Sequence, residues 1–162
     1  MLRLSKLTDY AVVVLVRLGQ PDAAGDACRD VQTSPCIAAA TGIPEPTVAK
    51  VLKTLASGGL VGSQRGARGG YRLLRPLDAI PIADVIAAID GPIALTACVE
   101  GSGNGCSTES LCPVRGRWDP VNAAIQDALG AITLADMQEA AIPRAFRIPA
   151  LPPSGPALRA AE

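Results

Sequence analysis

The sequence predicts a mainly α-helical chain with one small β-hairpin, and three patterns carry that expectation. Apolar residues recur at spacings of three and four, two short helical stretches flank a glycine turn, and a strand, a glycine-rich tip and a second strand follow. With one Trp, two Tyr and one Phe in 162 residues, the core must be built from aliphatic side chains, which argues against an all-β sandwich. The length suits one ordinary domain, or a small domain with a long dimerisation element, and not an elaborate multi-domain enzyme.

The first helix is expected from about Leu4 to Leu18, where Leu4, Leu7, Ala11, Val14, Leu15 and Leu18 make one apolar stripe. Gly19 and Pro21 end it, and a polar connection runs from Ala23 to Thr33. Ser34 is placed to cap a short helix with Pro35 at its first position, and Gly42 supplies a turn. A second helix starts near Pro44–Thr47 and runs to about Ala56. It buries Val48, Val51, Leu52 and Leu55 and turns Thr47, Lys50 and Lys53 outward, which makes a helix-turn-helix. Leu60–Leu74 reads as a hairpin with Arg65 and Arg68 at its tip. In that order the hairpin is the wing of a winged helix-turn-helix, its arginines suited to a minor groove while the second helix reads the major groove.

Helical periodicity resumes at Ile82–Ile89, between Pro81 and Gly91-Pro92. A Gly/Ser/Cys loop follows, then a longer helix from about Pro113 or Val114 to Leu129 or Ile132. Its stripe of Trp118, Val121, Ile125, Leu129 and Ile132 is more than a small winged-helix body can cover, so a second copy is expected on it. Pro120 leaves the start of this helix open. Thr133 is placed to cap a last turn over Leu134–Ala140, and five Pro in the last twenty-one residues mark a disordered tail. The expected organisation is a DNA-binding domain over 1–76, a cysteine loop and long C-terminal dimerisation helix over 77–140, and a Pro/Ala-rich tail over 141–162.

Formal net charge is zero, but residues 1–75 carry ten Lys/Arg against five Asp/Glu while residues 76–162 carry five against ten. A basic amino half suits phosphate neutralisation on double-stranded DNA. No apolar run approaches the roughly 18–20 residues of a membrane span, and the start lacks a secretory pattern, so a cytoplasmic location is expected. There thiols stay free, metal-bound or redox-active. Without histidine, and without any recognisable nucleophile–base pair, no catalytic machinery and no small-molecule substrate are expected.

Cys98, Cys106 and Cys112 are spaced C-x7-C-x5-C in a loop whose flexible backbone lets three thiolates converge. Soft sulfur donors select iron–sulfur clusters, zinc or copper(I), and spacing does not choose among them. A structural zinc site would need a fourth thiolate from Cys28 or Cys36, or a carboxylate. A redox thiol pair and inert buried cysteines are the other readings. Cys36, inside the apolar run Cys-Ile-Ala-Ala-Ala, reads as a small buried hydrophobe, and Cys28 as an exposed residue of a polar connection.

Leu4-Ser5-Lys6-Leu7-Thr8-Asp9-Tyr10-Ala11, then Gly42 through Leu52, then Arg65 through Leu73, and then the three cysteines resemble the Rrf2-type regulators that include IscR and NsrR, over about residues 1–137. These motifs are specific taken together, though each alone is not, and the resemblance implies a homodimeric winged-helix regulator with a long helix crossing to the partner and an iron–sulfur cluster near the subunit interface. It is most similar to regulators of the SUF cluster-assembly operon. It carries a wing role onto Arg65 and cluster ligation onto Cys98, Cys106 and Cys112. Two departures stand out. The histidine that completes the IscR pattern falls on Arg115, which cannot ligate, whereas the NsrR pattern uses a first-helix carboxylate of the other subunit, here Asp9. The acidic discriminator of the IscR recognition helix falls on Ala49. The function so implied is a repressor that senses iron–sulfur status. The rivals are a nitric-oxide or thiol-responsive repressor of the same fold and a zinc-stabilised winged-helix interaction module.

Overall fold

The computed structural model describes residues 4–20, 31–66, 69–97, 99, 112–114 and 116–139. The first helix, α1 (Lys6–Gly19), begins where Ser5 takes an extended conformation and its Oγ accepts the Thr8 N–H at 3.2 Å. Ala11, Val14 and Leu15 of the expected stripe are fully buried, while Leu4 lies outside the helix and is exposed. The second helix, α2 (Ser34–Thr41), is capped by Thr33 rather than Ser34: the Thr33 side chain accepts the Cys36 N–H, which puts Ser34 and Pro35 in the first turn. Gly42 ends it in the left-handed conformation at φ 72°, where a side chain would be strained.

The third helix, α3 (Glu45–Ser57), buries the four expected residues Val48, Val51, Leu52 and Leu55. Pro46 sits in its first turn, and Glu45 places a negative charge beside the positive end of the helix dipole. Strands β1 (Val61–Gln64) and β2 (Gly70–Leu73) pair antiparallel, with Val61 opposite Leu73 and Gln64 opposite Gly70. A third extended segment joins them, since Gln32 and Tyr71 exchange two backbone hydrogen bonds at 2.8 Å. Gly70 permits this approach; a Cβ there would lie 2.6 Å from the Gln32 carbonyl oxygen.

A short 3-10 turn (Leu77–Ala79) leads into α4 (Ile82–Asp90), which packs on α1 and α3. Gly58, just past α3, lets the two helices close up: a Cβ on it would stand 2.7 Å from the Ala88 Cβ. The helix α5 spans Asp119–Gly130, so the expected start at Pro113 or Val114 is corrected. Residues 116–118 are in turn, Gly116 has φ 68°, and Pro120, which left the start of this helix open, occupies its first turn.

The last helix, α6 (Leu134–Glu139), starts with a reciprocal cap. Thr133 donates its N–H and hydroxyl to Asp136 Oδ2, both at 2.8 Å, and its Oγ1 accepts the Asp136 N–H at 3.2 Å. Leu134 is fully buried, and its N–H meets the Ile80 carbonyl at 3.0 Å, so α6 returns to the core built by α1, α2, α3 and α4. Each such buried aliphatic side chain contributes about 1.5–3 kcal/mol by leaving water. No helix among the described residues is long and apolar enough to cross a membrane. The tail expected over 141–162 lies outside the described residues.

Candidate nucleic-acid interface and cysteine-loop root

Burying Val48, Val51, Leu52 and Leu55 against the core forces the opposite face of α3 outward. Lys50 and Lys53 are exposed there, and Thr47 is half-buried at its flank. Arg65 is exposed immediately after β1, at the wing tip, and Arg68 lies outside the described residues. The wing adds a cation that the sequence reading passed over, Arg72, exposed on β2 opposite Gly62. Its signal was strand alternation, since half-buried Tyr71 and Leu73 flank it. Cys36 is a correction: it is exposed on α2, because Ile37 is the residue of that helix turned into the core.

Of the proposed ligands, Cys98 and Cys106 lie outside the described residues. Cys112 is a half-buried free thiol just before the turns that lead to α5. Among the described residues no three Cys, Asp or Glu are grouped as a metal site. Asp9 is exposed in the first turn of α1, with Lys6 Nζ over the neighbouring Tyr10 ring at 5.7 Å.

The residue before it, Thr8, is 2% exposed and donates its hydroxyl to Asp90 Oδ2 at 2.7 Å, while Ser5 donates its N–H to the same oxygen at 3.3 Å. Burial raises the Asp90 pKa, but these hydrogen bonds outweigh it and hold the carboxyl below its ordinary 3.8. Asp90 ends α4, eight positions before Cys98, so the start of α1 and the root of the cysteine loop meet at one end of the molecule. A cavity of about 510 Å³ opens there, between Leu4, Ile86, Asp90, Pro92, Leu95 and Leu129.

The expected stripe of α5 is divided. Trp118 is 41% exposed, Val121 45% and Ile132 43%, whereas Ile125 and Leu129 are half-buried and Leu129 packs on the core. Between them the polar Asn122 is 4% exposed.

These features define a winged-helix DNA-binding protein, with a basic recognition helix and wing at one place and an apolar helix face at another. The family model described as Rrf2, iron-dependent transcriptional regulator, matches residues 4–140, and the chain belongs to this family. It is therefore a transcription regulator that acts on promoter DNA as a dimer, and not an enzyme. It is 30% identical to the HTH-type transcriptional regulator NsrR of Geobacillus kaustophilus over 138 residues, 85% of this chain and 90% of that one. Among solved structures it is similar to T. potens IscR, with 30% identity and a TM-score of 0.55 over 85% of this chain and 87% of that one. It is similar also to CymR, the global cysteine regulator of B. subtilis, with 27% identity and a TM-score of 0.60 over 86% and 98%.

Proposed function

We propose that this chain is a cytoplasmic repressor that senses iron–sulfur status through Cys98, Cys106 and Cys112, with Asp9 of the partner subunit as fourth ligand, and that it controls genes of iron–sulfur cluster assembly. The observation that carries the reading is the contrast between Thr8 and Asp9. Thr8 is buried on Asp90 at the root of the cysteine loop, while Asp9, the next residue, is exposed at the same start of α1, as a ligand offered to a second subunit must be.

The donor set fits the group. Three thiols supply soft ligands, Cys112, the one of the three that is described, is free, and without histidine the remaining hard donor falls to a carboxylate. When bound, a cluster with one oxygen ligand supplies a labile, oxidant-sensitive centre. The residues of the chain do the rest. Asp9 ties α1 of one subunit to the loop of the other, and α1 lies directly on α3, so release of Asp9 alters the spacing of the two recognition helices. A coupling of about 1–3 kcal/mol is the usual size of such an effect. Lys50, Lys53, Arg65 and Arg68 meet phosphates or groove edges, and Thr47 lies beside them on α3.

The test is purification without oxygen, followed by iron and sulfide analysis of the native chain and of Asp9→Ala. Cluster content should fall in the variant; unchanged content would remove Asp9 from the ligand set. A disulfide between loop cysteines, with no iron bound, would favour a thiol-based regulator instead.

A further inference from the structure

The segment from Asp90 to Leu95 is bonded to two separate helices. At its start Asp90 holds α1 through Thr8 and Ser5. Near its end, Asn122 of α5 donates Nδ2 to the Ile93 carbonyl and accepts the Leu95 N–H at Oδ1, both at 3.0 Å. Gln126, one turn on, adds a second donor to the Ile93 carbonyl at 3.0 Å.

A carboxamide facing a backbone carbonyl and the N–H two residues later stands in for a neighbouring strand, and among the described residues no strand pairs with 93–95. Burying Asn122 is costly unless both of its polar ends are satisfied, and here both are. The Thr96 carbonyl accepts the Val99 N–H at 3.3 Å, so the chain turns directly after the clamped segment, at the root of the cysteine loop.

We propose that Asn122, assisted by Gln126, is a positioning residue for the root of the cysteine loop: it pins residues 93–95 to α5 and so fixes the stem from which that loop departs. The segment 90–95 is thereby a strap between α5, which carries the exposed face, and α1, which carries Asp9. The importance of the loop rests on the function proposed above, but the strap itself does not depend on a bound cluster.

The experiment uses the full chain, reduced and metal-free, and follows maleimide labelling of each cysteine by peptide mapping. In Asn122→Leu, labelling of Cys98 should accelerate at least about fivefold, the factor that corresponds to one net hydrogen bond of about 1 kcal/mol. Labelling of Cys36, exposed on α2, should keep its native rate. Gln126→Leu, at an exposed position, should give a smaller acceleration of the same site and decides the matter if Asn122→Leu does not fold. Native Cys98 rates in the folded variants would overturn the proposal, as would an equal acceleration at every cysteine, which reports general loosening. Because no metal is present, failure here is distinguishable from failure of the cluster reading.

Discussion

The Thr8 hydroxyl and the Asp90 carboxylate, 82 residues apart in sequence, meet at 2.7 Å and join the first turn of α1 to the last turn of α4. Thr8→Val removes the donor while keeping the shape, and Asp90→Ala leaves a buried hydroxyl without this acceptor. The second should cost more, about 1–3 kcal/mol against about 1, as read from urea unfolding midpoints at constant slope.

The same pair sets a pH dependence. The folded Asp90 carboxyl is more acidic than its ordinary 3.8, so the unfolded chain takes up its proton first as pH falls. The stability it adds is complete above about pH 5 and is lost as pH drops through the folded value. Native protein and Asp90→Asn should therefore differ in unfolding free energy at pH 7 and converge below the ordinary carboxylate range. A gap that persisted undiminished at the lowest pH at which both fold would show that the charge is not what stabilises the contact.

Gly58 and Ala88 test the helix packing beneath the recognition helix. Gly58 has φ −80°, so Gly58→Ala meets no backbone penalty and must instead push its methyl into Ala88. A loss of about 1–3 kcal/mol is expected, with partial recovery in the double variant that adds Ala88→Gly. Additive losses in a thermal or urea double-mutant cycle would contradict the contact.

On DNA, replacing Lys50, Lys53 or Arg65 with Ala should weaken binding to promoter and unrelated fragments alike. Each should lower the slope of log K against log salt by about 1 if the lost contact is one phosphate. Arg72→Ala tests whether the strand arginine belongs to the same surface. A salt slope equal to the native one would place a residue outside the interface.

The only Trp of the chain, Trp118, is exposed at the N-terminus of α5 beside Val121, so if the second copy covers this face dimer formation is open to direct observation. Val121→Lys should shift the sedimentation profile toward monomer and weaken DNA binding. Dilution of the native protein should move the Trp118 emission to longer wavelength as its ring regains water.

Much of this fold could be read from local pattern, because α3 shows its buried side at Val48, Val51, Leu52 and Leu55 and the wing shows its turn at Gly66. What escaped was non-local. The bonds between Gln32 and Tyr71 join segments nearly forty residues apart, and no period in either segment announces them. Asn122 was hidden for the same reason: apolar spacing marked Trp118 and Val121, but the side of α5 turned inward must satisfy the bare backbone of Ile93 and Leu95, and an amide does that. Cys36 misled because its run of small apolar neighbours is a feature of the helix sequence, whereas exposure depends on which residue faces α3. The cation face was legible from charge and helix phase alone. Asp9 was reached only through resemblance, since nothing in its immediate sequence distinguishes a ligand from a carboxylate beside a helix N-terminus.

The most direct measurement is the visible spectrum, with iron and acid-labile sulfide content, of the chain purified without oxygen and supplied with iron and sulfide. A brown protein with visible absorption, bleached when any of Cys98, Cys106 or Cys112 is changed to Ala, is the expected result. A colourless native protein that binds promoter fragments with the same affinity before and after the treatment would contradict the account.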